Sequence, residues 1–121
     1  MGDNGKSERK EKGWYAVRCV FAAGPWDDGT MTYEERITLW HARSSRKAIE
    51  KAEAEANDYA SEIDESPVTY LGLAQSFHLF DVPGPGAEIF SLMRDSTLEP
   101  DDYLATFFSN GDERSSDYDE D

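Results

Sequence analysis

Between Arg46 and Ile63 the apolar residues recur three or four positions apart, at Ile49, Ala52, Ala56, Tyr59 and Ile63, while Glu50, Glu53, Glu55 and Asp58 take the other faces. This period predicts one long amphipathic helix. Because the apolar stripe is rich in alanine, the helix can sit close against a sheet. Ser44 or Ser45 stands where a serine oxygen accepts a bond from an orphan amide of the first turn. No glutamate follows three residues later, so the reciprocal capping box is missing. Lys47, Lys51 and Glu55 add charge pairs at three- and four-residue spacing, each worth about 0.2–0.5 kcal/mol.

Extended segments flank the helix on both sides. Trp14 to Ala22 is rich in β-branched and aromatic residues, and the two-residue period of a strand splits it into two faces. Tyr15, Val17, Cys19 and Phe21 share one face; Trp14, Ala16, Arg18 and Val20 share the other. Both are largely apolar, which predicts a central strand covered on both sides, with Arg18 as the exception. Residues 24–32 carry turn chemistry (Gly, Pro and two Asp) and predict a hairpin loop. In the returning strand, Tyr33 to Ala42, the odd residues Tyr33, Ile37, Leu39 and His41 are expected to face the core with Glu35 as an intruder. The even residues Glu34, Arg36 and Thr38 are expected to face water.

Residues 64–67 break the helix, and Val68 to Val82 is extended but long for one strand, so Gly72 is expected to mark a bulge or bend. The Pro-Gly-Pro-Gly run at 83–86 predicts a turn into a fourth strand, Ala87 to Arg94. Leu98, Tyr103, Leu104, Phe107 and Phe108 then form a short amphipathic helix opened by Pro100, Asp101 and Asp102, with Asn110-Gly111 as its stop. The expected fold is α+β, in the order β-β-α-β-β-α. Its four-stranded antiparallel sheet carries the long helix on one face, with the short helix at the C-terminal end.

Residues 1–13 and 111–121 read as tails around a single domain at 14–110, because neither can bury enough surface to offset the entropy of ordering. The chain has a formal net charge of −14, and the acidity resides in the domain as well as the tail. Phosphate contacts need Lys and Arg, so nucleic acid is an unfavourable partner. No apolar run reaches the length of a membrane span, the N-terminus lacks the apolar core of a signal peptide, and a single cysteine suits a reducing cytoplasm.

Catalytic signatures are missing from the sequence: there is no Walker loop, dinucleotide fingerprint, HExxH or CxxC. No cofactor or metal site is expected. Arg18, Glu35, Tyr70 and His78 are the residues that could line a pocket for an anionic ligand or an acid–base step. The simpler role for Arg18 and Glu35 is a structural ion pair, for His41 and His78 ordinary strand residues, and for Cys19 a small core residue. Trp26 and Met31, rimmed by Asp27 and Asp28 on the hairpin loop, have the makings of a partner contact.

The stretches WYAVRCVF, YEERITLWHARSSRKAIEKAEAEA and TYLGLAQSFHLFD resemble a family of small bacterial proteins known as a domain of unknown function, DUF 4288, over residues 14–110. The resemblance implies a free-standing cytoplasmic domain and supplies neither substrate nor catalytic residues. Charge and size point first to a non-enzymatic binding or regulatory protein that engages a basic partner, in the manner of an immunity protein or inhibitor. A small-ligand-binding or enzymatic module around Arg18, Glu35 and His78 is the alternative. A homodimer whose sheets pair or stack, burying Trp14, Trp40 and Phe77, is compatible with either.

Overall fold

The computed structural model describes residues 11–62 and 68–108. The ends of the chain, Ile63, the 64–67 break and the Asn110-Gly111 stop lie outside these residues. Two units are distinguished, residues 1–91 and 92–121.

The first unit is organised by helix α1, Ser45–Ser61. Ser44 is its cap: the backbone there is extended (φ −158°, ψ 162°), and the side-chain oxygen accepts the Lys47 amide at 3.1 Å. The buried stripe is Ala48, Ala52 and Ala56, with Ile49 and Tyr59 packed along its margins. Three methyl groups in a row let the helix backbone approach the sheet closely. The residue beneath them is the largest fully buried side chain, Phe21.

Strand β1 spans Gly13–Ala23, β2 Thr32–Ala42 and β3 Val68–His78. The sheet is antiparallel in the order β2-β1-β3, so β1 is central, as its two apolar faces predict. Tyr15, Val17, Cys19 and Phe21 point toward α1 and form the core with its alanines. The β1–β2 register is unbroken from Gly13↔Ala42 to Ala23↔Thr32. On the other side, Cys19 pairs with Ala74 but Phe21 pairs with Tyr70. Extra β3 residues are therefore accommodated around Gly72, whose φ of +84° belongs to the left-handed region that glycine adopts without a Cβ clash. The bulge expected at Gly72 is present.

Three expectations are corrected. Residues 87–94 form no strand, and the sheet has three strands among the described residues. Beyond the ladder the Leu79 amide still bonds the Trp14 carbonyl at 2.9 Å. The chain then turns away, and of the following segment Phe90 returns to stack near Phe77 and Arg18. The faces of β2 are reversed. Glu34, Arg36, Thr38 and Trp40 lie opposite Phe21, Cys19, Val17 and Tyr15, on the helix side, whereas Tyr33, Ile37 and Leu39 lie on the far face and are 63%, 44% and 39% exposed. The polar even residues are stable there because each finds a partner. The Arg36 guanidinium donates to both Glu55 oxygens (3.0 and 3.2 Å) and lies 3.7 Å over the Tyr59 ring. The Tyr59 hydroxyl donates to Glu34 at 2.7 Å, and the Trp40 indole N–H to Thr38 at 2.6 Å. Long side chains cover the helix–sheet seam with their stems while their charged ends are satisfied at its rim.

In the second unit, Pro100–Tyr103 forms a single α-helical turn, α2, that continues as a π-helical turn over Leu104–Phe108. This replaces the one regular helix expected. Pro100 opens the turn where its missing donor costs nothing, and Asp101 and Asp102 lie at the positive end. Arg94 lies 4.3 Å over the Phe107 ring and donates to the Tyr103 hydroxyl at 2.8 Å. No helix among the described residues is long and apolar enough to cross a membrane.

Candidate partner-binding hairpin

The loop between β1 and β2 is held by its own backbone and short side chains. The Trp26 amide bonds the Thr30 carbonyl at 2.8 Å, and the Gly29 amide bonds the Trp26 carbonyl at 2.9 Å. The exposed Asp28 carboxylate bends back onto the loop and accepts the amide (3.0 Å) and hydroxyl (2.8 Å) of Thr30. These two bonds, the backbone one first, hold its carboxyl below the usual carboxylate range. At Gly24, φ is +115°, and a Cβ would meet the Thr30 carbonyl oxygen at 3.1 Å and the Trp26 nitrogen at 3.2 Å. Only glycine lets the loop cross this closely.

On this frame the Trp26 indole N–H donates to the Thr32 hydroxyl at 2.9 Å, which fixes the ring while leaving it 38% exposed. Met31 is equally exposed. An open cleft of about 550 Å³ is lined by Trp26, Asp27, Asp28 and Thr30. The structure thus brings Trp26, Asp27 and Asp28 together at one cleft, with Met31 outside its lining. Asp28 is committed to the loop, so Asp27 is the carboxylate that faces outward for a ligand.

The second set of sequence candidates is divided by the sheet. Arg18 and Glu35 lie on the face away from α1, joined by an ion pair of 3.4 Å. The Arg18 guanidinium also donates to the Gln75 side-chain oxygen, from Nε at 3.0 Å and from Nη2, and sits 5.4 Å from the Phe90 ring centre. Arg18 is thereby paired and shielded, as a structural role requires. Tyr70 and His78 lie on the helix-side face, opposite Phe21 and Tyr15 in the register. The Tyr70 hydroxyl donates to Glu53 at 2.6 Å. Burial first, then this bond, pushes its own ionisation up. His78 stacks on Tyr15 at 4.6 Å, and its ring lies so near Gly13 that a Cβ there would come within 2.9 Å of Nε2. The β-sheet stands between the two pairs.

His41 stacks on Trp14 at 4.5 Å on the open face, with β1 between it and His78. Cys19 is 4% exposed, and burial pushes its thiol up, away from the thiolate a nucleophile needs. Among the described residues no three of His, Cys, Asp and Glu gather as metal ligands would.

Sequence reasoning missed the open face of the sheet, where Tyr33, Ile37, Leu39, Leu71 and Leu73 are each more than a third exposed. The alternation in β2 marked those residues as one apolar face. The polar partners that occupy the opposite face come from α1, and strand periodicity carries no sign of them.

No family model matches the chain, and no curated protein and no solved structure is detectably similar to it.

Proposed function

We propose that this protein is a non-enzymatic acidic binding protein that engages a basic partner protein through the 24–31 hairpin, in the manner of an immunity protein or inhibitor. The observation that carries this reading is the preorganised hairpin, which presents a fixed, half-exposed Trp26 beside Asp27 and Asp28 at an open cleft. A rigid aromatic anchor loses little conformational entropy on binding, and hot spots are built from such groups. The net charge of −14 supplies the long-range attraction that raises association rates with a basic surface. Arg18, paired with Glu35 and Gln75, offers no free cation to an anionic substrate, which favours binding over an acid–base site. The buried free thiol of Cys19 fits a cytoplasmic setting. The resemblance to DUF 4288 adds no activity to this reading.

The test is capture from source cells at low and high salt with wild-type protein, Trp26→Ala and Asp27→Asn. One basic protein bound stoichiometrically, released by salt and lost with Trp26→Ala, is the expected result. Recovery unaffected by both substitutions, or no partner at any salt, overturns the reading.

A further inference from the structure

The two edges of the sheet differ. The β3 edge is interrupted by the Gly72 bulge, a common device for blunting an edge. The β2 edge runs unbroken through eleven residues, Thr32–Ala42, with no proline, glycine or lysine, and no strand adjoins it among the described residues.

The direction of its free backbone groups follows from one hydrogen bond. The Trp14 carbonyl accepts the Leu79 amide, so Trp14 turns its backbone groups toward the β3 side. In an antiparallel ladder this alternates residue by residue. The even residues of β1 therefore face β3, and their β2 partners, Tyr33, Glu35, Ile37, Leu39 and His41, turn N–H and C=O to the open edge, where the His41 carbonyl accepts Lys51 Nζ at 3.3 Å and keeps one lone pair for a further donor. These same residues carry the exposed apolar face.

We propose that β2 is a homodimerisation strand: two copies pair β2 to β2 antiparallel about a two-fold axis at Thr38, joining their sheets into one six-stranded sheet. The occupant is a second copy because the strand is complementary to itself in this register. Ile37 lies opposite the partner's Leu39, so both exposed aliphatic side chains are covered twice over. Glu35 lies opposite the partner's His41, a carboxylate beside an imidazole that can donate to it. Each pair exchanges both of its outward-facing amides. Like-charged glutamates stay apart, since Glu35 and its copy are separated by six residues, about 20 Å along the strand. Alternative registers are poorer. An axis at Glu35 or Arg36 sets like charges face to face, and one at Ile37 places Glu35 against the partner's Leu39. An axis at Leu39 shortens the overlap and sets Ile37 against the partner's His41. Helix α1 packs on all three strands, β3 most, and meets β2 on the even-residue face through Arg36–Glu55 and Glu34–Tyr59, while Tyr33, Ile37 and Leu39 on the other face remain exposed. The proposal does not rest on the basic-partner reading, since the hairpin lies beyond the Thr32 end of the strand.

The experiment is light scattering across a concentration series, combined with engineered cysteines in a Cys19→Ala background. Wild type is expected at twice 13.6 kDa. Leu39→Pro removes an outward amide without breaking the ladder to β1, and is expected at 13.6 kDa with an unchanged circular dichroism spectrum. Should Leu39→Pro fail to fold, Ile37→Glu tests the same contact from the side chain. The Thr38→Cys variant is expected to crosslink under air oxidation, dioxygen taking the two electrons and two protons of the thiol pair, because a non-hydrogen-bonded pair brings Cα atoms to about 4.5 Å, within disulfide reach; the Leu39→Cys variant is expected not to. A monomeric wild type at every concentration overturns the proposal, as does a dimer unaffected by both Leu39→Pro and Ile37→Glu. Crosslinking through the Leu39→Cys variant and not the Thr38→Cys variant overturns the register.

Discussion

The two faces of the sheet use the same central strand in opposite ways. Toward α1, β1 presents Tyr15, Val17, Cys19 and Phe21 to a row of alanines, and these residues are sealed from water. Away from α1, Ala16 is fully buried, but Ile37, opposite Arg18 in the register, and Leu39 remain exposed. The covered face holds the buried core cluster even though β2 contributes polar residues to it. The open face is the more apolar by composition on β2 and the less buried. Burial follows from which face meets the helix, and hydrophobicity of one strand does not decide it.

Substitutions that empty or overfill the covered face have the largest expected effects. Phe21→Ala removes the ring wedged between Tyr59 and Tyr70 and is expected to cost about 3–5 kcal/mol in denaturant unfolding. Ala52→Leu, which forces the helix from the sheet, is expected to cost about 1–3 kcal/mol. If either measures as near-neutral, the helix does not pack as described. On the open face, Leu73→Ala is expected to cost less than about 1 kcal/mol, because the side chain is already half exposed. A loss as large as that of Phe21→Ala would mean the face is covered in solution.

A pH titration sharpens the same contrast. Cys19, Tyr59 and Tyr70 cluster on the covered side, and burial raises the ionisation of all three above their ordinary values of 9.0 and 10.0. A proton held more tightly in the folded state stabilises it fully below the unfolded value, and that stabilisation is lost as pH rises toward the folded one. Unfolding midpoints are therefore expected to fall above about pH 9, and Tyr70→Phe is expected to flatten the decline. An unchanged slope in Tyr70→Phe would place the phenol outside the seam. The smallest effect belongs to the hairpin. Asp28 has a lowered carboxyl and lies fully in solvent, so its contribution is present above its ordinary 3.8 and is lost on acidification. Asp28→Asn is expected to leave the melting temperature at neutral pH nearly unchanged while raising hydrogen exchange at the Thr30 amide.

Helix α1, its Ser44 cap, the central position of β1 and the Gly72 bulge were legible in the residues, because each depends on local spacing or on one residue's backbone freedom. The Arg18–Glu35 pair was legible too, since the two residues share a face of adjacent strands, Glu35 lying opposite Val20 and so diagonal to Arg18. The hairpin's Trp26 and its two aspartates stood out by type, but their joint cleft depends on the bonds among Trp26, Asp28, Thr30 and Thr32. The candidate pocket of Arg18, Glu35, Tyr70 and His78 drew on both faces of the sheet, because alternation within β3 puts Tyr70 and His78 on one face but only the register with β1 decides which face that is.

By itself the sequence determined the acidity, the helix with its alanine stripe, the two-residue alternation of the strands and the places where the chain turns. Each follows from short-range sterics, capping and side-chain period. Tertiary structure alone decided which face of β2 meets α1, that residues 87–94 stay out of the sheet, and that an apolar strand edge is left open. The reason is that these outcomes compare the burial of one face with the pairing of the other. Arg36 is stable beneath the helix only because Glu55 and Tyr59 arrive from a different part of the chain to meet it.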